Sequence, residues 1–278
     1  MIGELYIVAT PIGNLDDLSP RGLKVLSEVD LIAAEDTRHT RKLLSRFGIG
    51  TGMISYFRGR EASRGAEIIK RLESGSNVAL VSDAGTPGIS DPGWLLVDQA
   101  LNRGIRVVPI PGPCAAAVMA SIAGFAGPGF LFIGFLPAKK KARLDLLAEY
   151  ENFDHDLIFY ESPRRIIRTL EDIMAVMGDR RIAIGRELTK LNEEIIRGDV
   201  SQVVSKLVSR PSIKGEFVVM LEHRCDKPVM GREEIVAGLK ALKDDGRSLK
   251  EAVALVSQQG GCAKKKIYAE ALCLWGKK

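Results

Sequence analysis

The chain has 278 residues, 46% of them hydrophobic, with 40 Lys and Arg against 35 Asp and Glu for a net charge of +5. That length and apolar content suffice for two domains and exclude a fold that depends on disulfides for its core. No run approaches the ~18 to 20 uninterrupted apolar residues of a membrane span, and the opening Met1-Ile2-Gly3-Glu4-Leu5 has no basic leader, so a cytoplasmic protein without a membrane partner is expected.

Apolar runs at Leu5 to Ala9, Leu31 to Ala34, Val78 to Val81 and Arg106 to Ile110 alternate with amphipathic stretches, which predicts a largely parallel sheet covered on both faces. The rhythm continues at Phe130 to Gly134, Leu157 to Tyr160, Ile182 to Gly185 and Phe217 to Leu221. Ser19-Pro20 and Ser162-Pro163 each set an N-cap serine before a proline, a helix-start signal. The Gly- and Pro-rich stretch Gly124 to Gly129 follows a small-residue helix, Cys114 to Ala123, and marks a boundary nearby. An α/β domain over 1–118 and a second over 119–225 are therefore expected. After Leu221 the strand signal stops, and helical patterns at Glu233 to Lys243, Leu249 to Ser257 and Lys264 to Trp275 predict a helical module over 226–278. It holds 11 Lys and Arg against 7 Asp and Glu, so most of the net charge sits there.

Cys114, Cys225, Cys262 and Cys273 have no C-x-x-C spacing, and His39, His155 and His223 are scattered, so buried thiols and no metal site are expected.

The most informative segment is Ser82 to Gly93, directly after the run Val78 to Val81. It is neither a P-loop nor a dinucleotide fingerprint, yet it combines glycines with two carboxylates and hydroxyl groups where α/β sheets bind ligands. Turn geometry alone would explain the glycines but not the polar groups. Pro109 to Ala116 follows the next strand, and its Pro111-Gly112 turn leads to amides at Cys114 and Ala115 that suit a carboxylate; simple helix entry is the equal alternative. Thr10-Pro11-Ile12-Gly13-Asn14 ends the first run, and Glu35-Asp36-Thr37-Arg38 ends the second. An Asp–Arg pair capping a helix is the plainer reading of Asp36. Phe159 to Arg165 and Gly185 to Lys190 put charge at strand ends in the second half. Lys139, Lys140, Lys141 and Arg143, with Arg164, Arg165 and the tail's Lys264, Lys265 and Lys266, are candidate phosphate contacts, with solvated surface as the alternative.

Taken together, Val8 to Asn14, Ala34 to Arg38 and Val81 to Pro87 resemble the tetrapyrrole methylase-like superfamily. Pro111 to Ala115, Gly134 to Pro137, Phe159 to Ser162 and Arg186 to Lys190 are similar to its ribosomal branch, the bacterial 16S rRNA cytidine-2′-O-methyltransferases. The resemblance covers nearly the whole chain. It departs after Ser55-Tyr56, where Phe57-Arg58-Gly59-Arg60-Glu61 replaces a His- and Asn-rich stretch.

The resemblance implies two α/β lobes with S-adenosylmethionine folded in the cleft between them, and a homodimer. The acceptor would be the ribose of a cytidine in the decoding (P-site) region of 16S rRNA within the small ribosomal subunit. By motif position the cofactor would meet Pro11, Asp83, Ala84, Gly85, Thr86, Pro87, Ile89, Pro111, Gly112, Cys114, Ala115, Tyr160 and Glu161. An in-line displacement needs a positioned hydroxyl and a group to take its proton. Lys190 is expected to stabilise the developing alkoxide and Glu35 or Glu187 to accept the proton, with Asp83 also within reach of the cleft. A methylase of a small tetrapyrrole-like molecule and a non-catalytic RNA-binding protein are the competing readings, and the basic tail weighs against the former.

Overall fold

The computed structural model describes residues 2–223, 231–259 and 264–276. They divide into two compact units, Met1–Glu222 and His223–Lys278.

Unit one opens with β1 (Leu5–Val8), α1 (Pro20–Glu28), β2 (Leu31–Ala34), α2 (Thr37–Arg46), β3 (Met53–Ser55), α3 (Glu61–Glu73), β4 (Val78–Val81), α4 (Trp94–Leu101) and β5 (Val107–Ile110). The five strands form a parallel sheet in the order β3-β2-β4-β1-β5. Alternation along a strand sends successive side chains to opposite faces. Leu31, Ala33, Val78 and Leu80 therefore pack with Ile68 and Leu72 of α3 and Leu96 of α4. Ile32, Ala34, Ala79 and Val81 face Leu26 of α1 and Leu44 of α2. The chain leaves β1 and β2 over one face and β4 over the other, which opens a crevice at the carboxyl end of β4, the position where such sheets bind ligands. Ser19 caps α1 as its sequence suggests, its Oγ accepting from the Gly22 amide at 3.0 Å.

The second half comprises α5 (Ala115–Ile122), β6 (Phe130–Phe135), α6 (Lys140–Glu149), β7 (Asp156–Glu161), α7 (Ile166–Met177), β8 (Arg181–Arg186), β9 (Glu194–Asp199), α8 (Val200–Val208) and β10 (Phe217–Leu221). The strand order is β6-β7-β10-β8-β9. Only β6 and β7 pair in parallel; the three other pairings are antiparallel. One face packs on α6, α7 and α8 through Phe159, Ile184 and Val219. The other meets α5 through Ile158, Val218 and Met220, and Ile12 of the first half joins that core. The break expected between residues 118 and 119 falls inside α5, a helix that packs as one piece on the second sheet. Ser162 does not cap a helix with its side chain: α7 starts four residues later, and the Ser162 carbonyl accepts from the Arg165 and Ile166 amides.

Unit two contains α9 (Arg232–Asp244), α10 (Leu249–Gln259) and α11 (Lys264–Trp275), close to the expected helices. They bury a small core of Ile235, Leu239, Val253, Val256 and Ile267. Among the described residues no helix is long and apolar enough to cross a membrane.

Candidate active site

Three loops meet at the carboxyl ends of the first sheet. The loop after β1 is stitched to the loop after β4 by paired backbone bonds, Thr10 N to Gly85 O at 2.8 Å and Gly85 N to Thr10 O at 3.0 Å. Thr10 Oγ1 donates to Ser82 O at 3.1 Å. Gly85 has φ of +80°, a left-handed conformation that disfavours a side chain and lets the loop turn back against β1. Thr86 Oγ1 then donates to Pro113 O at 3.0 Å, tying this loop to the approach to α5. The Asp36 amide donates to Asp83 Oδ1 at 3.0 Å and draws in the end of β2.

These loops and the second sheet enclose a cleft of about 440 Å³, lined on one side by Ile12, Glu35, Asp83 to Thr86 and Ile89 to Asp91, and on the other by Cys114, Ala115, Phe135, Tyr160 and Glu216 to Val218. That volume lies in the roughly 300 to 1,000 Å³ range of cofactor-sized sites. Its wall at the first sheet is acidic. Burial raises the Glu35 carboxyl above its ordinary pKa, with Asp91 and Asp83 adding to the effect; the bond from the Asp83 backbone and the charge of Arg58 oppose it. Asp91 is raised for the same first reason and by Asp83, against its bond from Ser82 and the charge of Arg58. The opposite wall is aromatic: Tyr160 makes edge contacts with Phe132 and Phe135 at 4.9 and 5.6 Å between ring centres. Burial first, and then the proximity of Cys114, push the Tyr160 hydroxyl to about 12, so it stays a donor at neutral pH.

Of the expected cofactor contacts, Asp83, Ala84, Gly85, Thr86, Ile89, Cys114, Ala115, Tyr160 and Glu161 line this cleft. Pro11 lines an adjoining hollow, and Pro87 a separate one with Trp94. Pro111 and Gly112 do not line the cleft. Gly112 lies so near β1 that a Cβ there would meet Ala9 Cβ at 2.9 Å, so this glycine serves close packing instead of cofactor contact. Glu161 lines the wall, but its carboxylate is committed inward: it accepts from the Ser162 amide at 2.7 Å, Thr169 Oγ1 at 2.7 Å and Arg165 at 3.0 Å.

The three expected catalytic groups separate. Glu35 lines the cleft, whereas Lys190 lines the hollow beside it. Lys190 Nζ donates to Glu187 Oε1 and Glu216 Oε2, both at 3.0 Å. Burial would lower the ammonium pKa, but the bonds to Glu216 and Glu187 outweigh it and leave it raised. Burial likewise acts to raise Glu187, and the Glu216 amide and Lys190 override it, leaving the carboxyl below its ordinary value. A carboxylate so occupied is a poor base, and Glu187 is better read as the holder of Lys190. Glu187 and Thr189 both have positive φ, 51° and 64°, strained for residues with side chains. The tight turn docks against the first half through the Asn14 amide, which donates to Thr189 Oγ1 at 3.0 Å.

Two expected RNA contacts are corrected by their partners. The Arg143 side chain is buried and gives two bonds to Asp172 Oδ2, at 2.8 and 2.6 Å, and others to the Pro137 and Ala138 carbonyls. Arg165 donates to Leu136 O and Glu161. Both brace the segment after β6, so neither guanidinium is presented to a phosphate. Lys139, Lys140, Lys141 and Arg164 are exposed. Lys264, Lys265 and Lys266 open α11, but their side chains lie outside the described residues, as do Cys225 and Cys262. No group of three or more His, Cys, Asp or Glu is placed to hold a metal among the described residues. Sequence reasoning passed over Asp91 as an individual site residue, and Arg58, which crosses from the divergent loop to donate to Ser90 O at 3.2 Å.

Residues 4–204 match the sequence model of the Tetrapyrrole (Corrin/Porphyrin) Methylases. The chain belongs to that family. It is 44% identical to the ribosomal RNA small subunit methyltransferase I of Haemophilus influenzae, over 96% of both chains. It is 43% identical to the protein of the same name from Pseudomonas aeruginosa, over 99% of both. Among solved structures it resembles the methyltransferase CobJ, with a TM-score of 0.61 and 19% identity over 80% of this chain and 94% of that one. Uroporphyrin-III C-methyl transferase from Thermus thermophilus, complexed with S-adenyl homocysteine, gives a TM-score of 0.56 at 14% identity, over 78% and 97%. At those identities the likeness is one of fold. The α/β fold and the methyltransferase class expected from the motifs both stand.

The cleft residues fit S-adenosylmethionine. The wall of Glu35, Asp83 and Asp91 suits a cationic sulfonium, since opposite charges attract strongly where water is partly excluded. The first amides of α5, whose N-cap Cys114 makes no side-chain capping bond, suit a carboxylate.

Proposed function

We propose that the protein transfers a methyl group from S-adenosylmethionine to the ribose 2′-oxygen of a cytidine in the decoding region of 16S rRNA, within the small ribosomal subunit. The observation that carries this reading is the 43–44% identity, over nearly the full length, to proteins named as small-subunit rRNA methyltransferases, joined to a cleft whose charge suits a sulfonium. The ribose and the cytidine rest on the motif resemblance. S-adenosylmethionine supplies the electrophilic methyl group.

The chain's own residues orient and deprotonate. Asp83, anchored by the Asp36 amide, contributes fixed negative charge, and Tyr160 closes the apolar side. Glu35, its carboxyl raised above its ordinary value by burial and facing the cleft, takes the hydroxyl proton, because a raised pKa makes a carboxylate a stronger base. Lys190, held by Glu187 and Glu216 beside the cleft, offsets charge developing on the acceptor oxygen. A second copy of the chain would cover the apolar patch of Ile89, Trp94 and Leu101, of which Trp94 is 66% exposed, giving a homodimer. A ribosomal acceptor places the reaction in the cytoplasm.

The test is labelled methyl transfer to small subunits from cells lacking this modification, followed by alkaline hydrolysis. One alkali-resistant cytidine is expected. Cofactor binding without transfer would favour a small tetrapyrrole-like acceptor.

A further inference from the structure

Helix α2 reads Thr37-Arg38-His39-Thr40-Arg41-Lys42-Leu43-Leu44-Ser45-Arg46, with four Arg and Lys and no acidic residue. Thr40 and Leu44 are buried against the first sheet, and Arg38, Arg41, Lys42, Ser45 and Arg46 are all exposed. At that spacing they share one helix face and span about 12 Å along the axis. Arg38 is paired with Asp36 at 2.8 Å, whereas Arg41, Lys42 and Arg46 have no ion-pair partner among the described residues. Three neighbouring cations without counter-ions repel one another, an arrangement that folding alone does not require.

Lys42 and Arg46 of this face border a groove, whereas Arg41 lines neither of its hollows. A hollow of about 470 Å³ lies between the loop after β1, His39 and Lys42 of α2, and Lys190, and shares Ile12, Asp83, Ala84 and Glu216 with the cofactor cleft. It opens into a wider depression between Asn14, Arg46 and Leu191, the last fully exposed. The route from surface to cleft is thus continuous in its lining, with Lys42 and Arg46 at successive stations. The strained Glu187–Thr189 turn holds its far rim.

We propose that this groove takes the single-stranded RNA flanking the acceptor nucleotide, with its phosphates on Lys42 and Arg46 in the lining and on Arg41 outside it, and the acceptor ribose delivered over Ile12 and Ala84 into the cleft. The proposal rests on the rRNA reading and assigns the substrate's path. Polyanion binding matches unpaired cations in a row, and a flexible single strand can bend from an open depression into a narrow cleft as a duplex cannot. An acidic protein surface is the competing partner, and the experiment separates the two.

The combined variant R41Q/K42Q/R46Q is compared with wild type for cofactor affinity by calorimetry and for methyl transfer to small subunits at several salt concentrations. Cofactor affinity within twofold of wild type is expected, with KM for subunits raised about tenfold or more. The logarithmic salt dependence of binding should become shallower by about 2, at about 0.7 for each single-strand phosphate that the variant no longer neutralises. A photoreactive residue at Ser45 should cross-link to 16S rRNA. An unchanged KM and salt slope, a defect confined to kcat, or a cross-link to ribosomal protein alone would each overturn the assignment. If wild type itself binds cofactor and methylates no subunit, the underlying reading fails, and the wild-type arm reports that separately.

Discussion

The backbone amide of Asp36 donates to the carboxylate of Asp83 at 3.0 Å, joining the ends of β2 and β4 across 47 residues of sequence. The bond aims one charged side chain at the cleft and brings Glu35, the neighbour of Asp36, beside it. The acidic wall therefore depends on two strands being adjacent in the sheet.

Asp83→Asn keeps the shape of the side chain and removes its charge. It is expected to weaken S-adenosylmethionine binding about tenfold, or ~1.4 kcal/mol, and S-adenosylhomocysteine binding much less, because only the former is cationic. Calorimetry with both ligands checks this, and equal losses would mean that Asp83 does not sense the sulfonium.

As the proposed base, Glu35 is expected to govern the acidic limb of the pH profile. A base must be deprotonated, so kcat/KM should fall as pH drops through its raised pKa. Glu35→Gln should remove that limb and lower kcat by roughly 10² to 10⁴. The stability effect has the opposite sign. With its folded pKa above the unfolded one, Glu35 binds a proton more readily in the native state, so its contribution to stability diminishes as pH rises through that interval. At neutral pH, Glu35→Gln should thus unfold at a higher urea concentration than wild type while turning over more slowly.

Gly85→Ala forces a side chain into φ of +80°. The added Cβ would sit 3.4 Å from Ile12 and 3.5 Å from Pro113 O, ordinary contacts, so the penalty is conformational, about 1 to 2 kcal/mol. Denaturant titration should show that loss, accompanied by weaker cofactor binding as the Thr10 pairing shifts.

Asp172→Ala leaves the buried Arg143 guanidinium without its carboxylate, and about 3 to 5 kcal/mol of stability should go with it. Lys139→Ala, at an exposed lysine nearby, should leave the unfolding midpoint unchanged. If Asp172→Ala were as stable as wild type, Arg143 would not brace the segment after β6.

Among the described residues, sequence periodicity made eight of the ten strands legible, because each is an apolar run bounded by turn residues. The two it missed, β3 and β9, are edge strands: Met53-Ile54-Ser55 is short, and Glu194 to Asp199 alternates with charge, so neither stands out from a loop. The glycine-rich loop after β4 was legible as a candidate ligand loop from its polar groups, and the fold places it on the wall of the cleft. The basic face of α2 was equally present in the chain, but nothing in the sequence tells a cation beside a cleft from one on a distant surface.

What the sequence by itself determined is local or cumulative: the strand and helix periods, the N-cap at Ser19, the tail of three helices and a set of motifs dense enough to place the chain in its family. What only the tertiary structure decided is partnership. The antiparallel placement of β10 between β7 and β8, the burial of Arg143 on Asp172 and the capture of Glu187 by Lys190 and the Glu216 amide all join residues distant in sequence or depend on which strands become neighbours. A charged side chain carries the same formal charge in every sequence context; whether it serves as brace, base or phosphate contact is set by the dielectric and the counter-charges that folding assembles around it.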